Sequence, residues 1–141
     1  MTPTKACPVV LRGPAEAREI LAFRHPLAGA QLVKGSMEPG ESVEAAAVRE
    51  LLEEAGVVAA ASEALGVWEA GHDAQVWAFQ LCEPVAPLSE QWTHVCADHG
   101  GHAFAFFWHS LDAASLDEWH PVHARALAQV RALLQRGAGG A

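Results

Sequence analysis

Apolar residues along this chain fall into short runs broken by glycine, proline and polar turns, with two stretches where they recur at helical spacing instead. KACPVVLR (Lys5–Arg12) and EILAFR (Glu19–Arg24) read as strands separated by the Gly13–Pro14 turn signal. AQLVKG (Ala30–Gly35) predicts a short third strand ending at a glycine. ALGVWEAG and AQVWAFQLC predict two more strands around His72–Asp73, and WTHVCA with HAFAFFWHSL predicts a hairpin over Asp98–Gly101. The clearest helix is SVEAAAVRELLEEAG, over Val43–Ala55, with Ser42 placed as its N-cap and Gly56 as a left-handed stop. After Pro121, PVHARALAQVRALLQR predicts an amphipathic helix over Val122–Gln135, and the final GAGGA reads as a frayed tail. Strands, a central helix, more strands and a closing helix imply a mixed α/β domain with helices against a sheet. No repeat, linker or composition break divides the chain, so one domain over 1–136 and a short tail over 137–141 are expected.

The central helix carries an anomaly. Gly35–Val57 holds six of the thirteen glutamates, three of them within the five residues Glu50–Glu54, in a chain whose formal charge is already −8. Like charges at helical spacing weaken a helix by a few tenths of a kcal/mol per pair. On a wheel of about 100° per residue, Glu50, Glu53 and Glu54 share one sector. Leu51, Leu52, Val48, Ala45 and Ala55 lie opposite, as suits packing on a sheet. Arg49 stands at the margin of the acidic sector, four residues from Glu53. Converging carboxylates beside a glycine-bounded loop make a hard-oxygen set suited to Mg²⁺ or Mn²⁺. Such an ion would relieve the repulsion and supply the positive charge that an acidic protein lacks for meeting a phosphate. A solvated, charge-patterned surface helix is the competing explanation.

The order of the residues separates the two. The segment matches G-x5-E-x7-R-E-U-x-E-E-x-G-U, with U bulky and apolar, at Gly35, Glu41, Arg49, Glu50, Leu51, Glu53, Glu54, Gly56 and Val57. This resembles the Nudix box, the signature of hydrolases of nucleoside diphosphates linked to another moiety. The resemblance implies an α/β/α sandwich with a central mixed sheet, and water attack on a phosphorus atom of a pyrophosphate. Carried over by position, Glu50, Glu53 and Glu54 would bind metal, Glu41 would support the site and Arg49 would orient a neighbouring carboxylate. Gly35 would let its backbone approach metal or phosphate, Gly56 would end the helix, and Leu51 would anchor it. Glu53 or Glu54 is expected to serve as ligand plus base. Some members place the base in a distal loop, where Glu90 and Asp98 are this chain's candidates. Retention of every box glutamate favours an enzyme over a nucleotide-binding or regulatory module of the same fold.

Beyond the box, Lys34 precedes the first glycine in LVKGSMEPGE, a run that resembles members cleaving dinucleoside polyphosphates or diphosphoinositols, which commonly have proline where this chain has Val33. Other subgroups carry tyrosine or proline some fifteen to seventeen residues past the box; His72, Asp73 and Ala74 stand there, and the chain has no tyrosine. The substrate is therefore expected only as a class: a nucleoside triphosphate, a dinucleoside polyphosphate or a nucleotide sugar. Lys34 and Arg24 are candidate phosphate contacts, and Trp92, in the polar SEQWTHV stretch, is the candidate base-stacking platform, with packing as its competing role. Six of eight histidines lie between His94 and His123, but no pair has zinc-type spacing together with a third ligand on a common helix.

Nine basic against seventeen acidic residues make a poor platform for long nucleic acid. No apolar run approaches the roughly 20 residues that span a bilayer, and MTPTKACPVVLRG lacks a signal-peptide layout. A cytoplasmic location is expected, with Cys7, Cys82 and Cys96 as buried, reduced thiols. The family resemblance adds a homodimer as a possible assembly.

Overall fold

The structure, a computed structural model, describes residues 1–97, 100–115 and 117–139. The first run splits in two: β1 (Lys5–Val9) and β2 (Leu11–Arg12) are separated at Val10, where the chain passes from one sheet to another. They are followed by β3 (Glu19–His25), β4 (Gly29–Gln31), β5 (Gly35–Ser36) and α1 (Val43–Ala55). The second half contributes β6 (Ala59–Glu69), β7 (Val76–Pro84), β8 (Trp92–Val95), β9 (Ala103–Ser110) and α2 (Pro121–Gly139).

The first sheet runs β5-β1-β7-β6 and is mixed, because β1 and β7 are parallel while the outer pairings are antiparallel. The second runs β2-β3-β9-β8, with β4 also paired to β3, and is antiparallel throughout. Residues of β1 alternate between two apolar clusters: Ala6 joins the one packed against α1, and Cys7 and Val9 join the one packed against α2. A parallel strand buried on both faces needs such a continuous apolar sequence. The result is strands between two helices, the α/β/α sandwich that the resemblance implied. All three cysteines are buried, as expected of small apolar side chains.

Helix α2 continues to Gly139, past the Gln135 at which the pattern ended it, and two further expectations change. The run Ala30–Gly35 is not one strand but β4 and β5 with a break between them, because Gly29–Gln31 completes the β3 sheet while Gly35–Ser36 pairs with β1. Strand β6 begins at Ala59, five residues before the pattern placed it, and carries register shifts at Ala61/Glu63 and Ala64/Gly66. Those bulges scramble the alternation on which a strand reading depends. Strands β8 and β9 pair antiparallel as predicted, with Trp92 opposite Phe106 and Val95 opposite Ala103, while Asp98 and His99 of the predicted turn lie outside the described residues.

Candidate active site

Helix α1 is fixed at both ends before its carboxylates are considered. Ser42 Oγ accepts from the Ala45 amide at 3.1 Å. At the other end Gly56 adopts φ +71° and donates to Leu52 O at 3.0 Å, while Val57 donates to Leu51 O at 3.2 Å. Two further carbonyls of the last turn are met from β8: Trp92 Nε1 donates to Ala55 O at 2.9 Å, and His94 Nε2 donates to Glu53 O at 3.0 Å. The His94 ring lies so close that a Cβ at residue 56 would stand 2.9 Å from its Nδ1. Glycine is thus demanded there twice, by conformation and by space.

The buried face of α1 is not the one the wheel assigned. Ala46, Ala47, Glu50, Leu51, Glu54 and Ala55 are buried, whereas Leu52 is 53% exposed and Ala45 faces solvent. The helix contacts β1, β6 and β7 and also β5, β8 and β9, so a wide arc is covered and the covered arc includes two glutamates. Glu50 and Glu54 retain only 5% and 4% of their exposure. Buried carboxylates at this density cost several kcal/mol each unless something compensates them.

Arg49 supplies part of the compensation. Its Nε and Nη2 grip Glu41 at 2.8 Å each, Nη1 reaches Glu50 Oε1 at 2.7 Å and Glu53 Oε2 at 3.2 Å, and Nη2 also donates to Ser36 O at 3.0 Å. One guanidinium thereby ties the loop before the helix to three carboxylates. The pairing drives Glu41 down to about 2, helped by the Glu38 amide that donates to it. Glu54 is left out: its Oε2 is buried and has no hydrogen-bond partner. Burial pushes its carboxyl far up, and the hydrogen bond and charge of neighbouring Glu50 push it further. Gly35 closes the cradle, since a Cβ on it would overlap the Glu50 carboxylate.

Among the described residues, no three His, Cys, Asp or Glu side chains are already posed as a metal cluster; Glu41, Glu50 and Glu53 turn toward Arg49 instead. The donor set nevertheless fits a hard divalent cation, on three counts. Its donors are carboxylate oxygens, one of them is buried without a partner, and the wall facing Glu50 is a bare glycine backbone.

Lys34 and Glu54 line a cleft of about 180 Å³ with Phe23, His25, Gln31 and Phe104, in which the Phe23 and Phe104 rings stack at 4.4 Å. Burial, with Lys5 nearby, pushes the Lys34 ammonium below its ordinary range. The other sequence candidates lie elsewhere. Glu90 is held in a bidentate pair by Arg12 at 2.8 and 2.7 Å, and Arg24 pairs with Glu118 at 3.0 Å above the Phe107 ring. Both border a separate cleft. Trp92 stacks on Phe106 at 5.1 Å and spends its indole N–H on α1; it anchors the helix and is not posed as a platform beside Lys34. Asp98 lies outside the described residues. The sequence reading weighed the histidines between His94 and His123 only as zinc ligands or a substrate contact; it gave no role to His94, which secures α1, or to His120 and His123, which gather near Lys34, because their spacing shows no shared element.

A family model described as NUDIX domain matches residues 2–130. No curated protein matches the chain in sequence. Among solved structures the fold is similar to that of an ADP-ribose pyrophosphatase from Streptococcus suis, at 19% identity and TM-score 0.64, covering 93% of this chain and 90% of that one. It is similar also to RenU, a Nudix hydrolase from M. smegmatis, at 20% identity and TM-score 0.63, covering 94% and 86%. A UDP-X diphosphatase aligns at 16% identity and TM-score 0.62, covering 92% and 63%. At such identities the likenesses speak for the fold, and the family rests on the model that spans nearly the whole chain. With the complete box on α1 and that match together, the chain belongs to the Nudix hydrolase family.

Proposed function

We propose that this protein is a divalent-cation-dependent pyrophosphohydrolase that cleaves a phosphoanhydride in a small nucleoside diphosphate-linked substrate by water attack at phosphorus. The observation that carries the reading is the burial of Glu50 and Glu54 side by side, with Glu54 Oε2 lacking any partner. A stable fold does not bury such a pair without a use for it. Residues 1–136 are taken as one catalytic domain.

Glu50, Glu53 and Glu54 would hold Mg²⁺, or Mn²⁺ in its place, with the Gly35 backbone forming the opposing wall. When bound, the ion neutralises non-bridging oxygens and lowers the pKa of water. The chain's own residues do the rest. Arg49 keeps Glu50 and Glu53 pointed into the site, and Glu41 holds Arg49 from the other side. Glu53 is half-exposed and Glu54 is the carboxyl with the greatest tendency to take a proton, so they are the candidates for accepting one from the attacking water. Lys34, at the edge of the cleft that Glu54 lines, presents a cation to the phosphate.

The test is a panel of nucleoside triphosphates, dinucleoside polyphosphates and nucleotide sugars, with products identified by mass spectrometry. At least one substrate should be cleaved with Mg²⁺ and spared with EDTA. Glu53→Gln and Glu54→Gln should each abolish turnover while circular dichroism stays native. Full activity in both variants would overturn the mechanism, and tight nucleotide binding without product, in Mg²⁺ and in Mn²⁺, would make the protein a binding module.

A further inference from the structure

Beside Lys34 the structure assembles side chains that the box does not account for. Lys34 Nζ lies 5.4 Å from the centre of the Trp77 ring. His123 meets that ring edge-on at 5.1 Å, His120 meets His123 at 5.4 Å, and His72 meets His120 at 6.1 Å. The row runs from the buried interior, where His123 is 2% exposed, to the surface, where the His72 side chain is 43% exposed. It draws on four separate parts of the chain: the segment before β5, the β6–β7 turn, β7 through Trp77, and the start of α2.

Hydrogen bonds decide what these rings offer. His123 Nδ1 accepts from the Leu32 amide at 3.0 Å, and His120 Nδ1 accepts from the Val122 amide at 3.2 Å. A ring nitrogen that accepts carries no proton, so each imidazole is neutral and bears its hydrogen on Nε2 as a donor. Burial first, and then the positive charge of Lys34 and, for His120, of Arg125, hold both rings in that neutral state. At the outer end, Asp73 pairs with His72 at 3.2 Å in a turn where Asp73 and Ala74 both take positive φ, 49° and 55°. Donors without matching acceptors, beside the cations Lys34 and Arg125, suit an oxyanion.

We propose that Lys34 and His120 form a phosphate-binding wall, positioned by His123 and bordered by His72, that receives a phosphate lying beyond the pyrophosphate being cleaved. The substrate is then one with three or more phosphates in line, in preference to a nucleoside diphosphate capped by an uncharged sugar. This deepens the hydrolase reading and rests on it for the position of the cleaved bond. It does not rest on it for the wall itself, which has its own donors.

The test uses two substitutions of one residue. In His120→Asn the amide oxygen reproduces the acceptor at Nδ1 that caps α2, and the outer donor is gone; in His120→Gln the outer donor is kept. Two readouts are taken: the ratio of kcat/KM for a nucleoside triphosphate to that for a nucleoside diphosphate sugar, and the calorimetric Kd for inorganic tripolyphosphate in EDTA. His120→Asn should lower the ratio and weaken tripolyphosphate each by about tenfold, as expected for one hydrogen bond to a charged group. His120→Gln should stay within about twofold of wild type. Equal losses in both variants would reduce His120 to a helix cap and overturn the proposal. So would no change in either readout with His120→Asn. If no pyrophosphate compound is hydrolysed and tripolyphosphate still separates the two variants, the wall stands and the hydrolase reading falls. If hydrolysis is robust and tripolyphosphate binds both variants as it binds wild type, the reverse holds.

Discussion

The two helices of this fold obey opposite rules. Helix α2 buries Val122, Ala126, Leu127 and Val130, an apolar stripe with the spacing that amphipathic packing requires. Helix α1 buries Leu51, Ala46, Ala47 and Ala55 too, but turns Glu50 and Glu54 into the same buried arc. The apolar clusters that the two helices join both draw on β1, β3, β7 and β9, so the difference is not one of architecture. It lies in what each helix is for: α2 closes an apolar core, whereas α1 holds an unfavourable charge arrangement in place. The Arg49 clamp, the Gly35 cradle and the anchors from Trp92 and His94 are what the fold invests to keep α1 where it is. Sequences depart from the ordinary burial rules chiefly at functional sites, and the departure on α1 is carried by two residues, Glu50 and Glu54.

The sharpest way to break the comparison is to neutralise one acid. Glu54→Gln should lower kcat by about 10³-fold or more with the fold intact, measured by initial rates on whichever substrate the panel yields. The converse substitution on α2, Leu127→Ala, should cost about 2–5 kcal/mol of stability, seen in urea unfolding, with the specific activity of the folded fraction preserved. Gly35→Ala comes next: its Cβ must displace the Glu50 carboxylate. A loss of about 1–3 kcal/mol, typical of overpacking, should accompany at least a tenfold fall in activity. Activity near wild type would show that Glu50 does not need its present position.

Smaller effects test the electrostatics. The Glu54 carboxyl is raised in the native protein, so in the absence of metal its contribution to stability is full below about pH 4.5, the ordinary value, and is lost as pH rises toward the raised native one. Glu54→Gln removes that loss. In EDTA at pH 8 the variant should therefore melt above wild type, by roughly 2–4 °C for each kcal/mol regained, and the gap should close at pH 4. A variant that melts below wild type at pH 8 would mean that the carboxyl is not under strain. Glu41 has the opposite sign. Arg49 holds it at about 2 against an ordinary 4.5, so the stability it contributes is present above pH 4.5 and fades as pH falls toward 2. Glu41→Gln should flatten that acid limb of the stability curve.

Much of α1 could be read directly because its signals are local. Ser42 and Gly56 bracket the helix where the cap rules place it, and the observed range Val43–Ala55 is the predicted one. What the wheel could not supply was the direction of burial, since that depends on two sheets meeting the helix from different sides, and so Leu52 was assigned inward and Glu54 outward. The start of β6 was hidden for a related reason: Ala59–Ala61 is alanine-rich and the strand is bulged, so no period of two survives there. Of the candidates beyond the box, Lys34 reaches the cleft beside Glu54 because it is chained to Gly35. Arg24 was chosen for residue type, Glu90 for its place in a distal loop and Trp92 for its polar surroundings, and tertiary partners claim them: Glu118, Arg12 and the α1 C-terminus. Long-range pairing of this kind leaves no trace in local sequence.

The central claim is that the carboxylates of α1 are held together for a divalent ion. Titration of Mn²⁺ into the protein, with free Mn²⁺ followed by electron paramagnetic resonance, measures this without reference to any substrate. Wild type should deplete the free signal saturably and Glu54→Gln should weaken that binding by at least tenfold. Equal binding by the two, or none by wild type, would contradict the account.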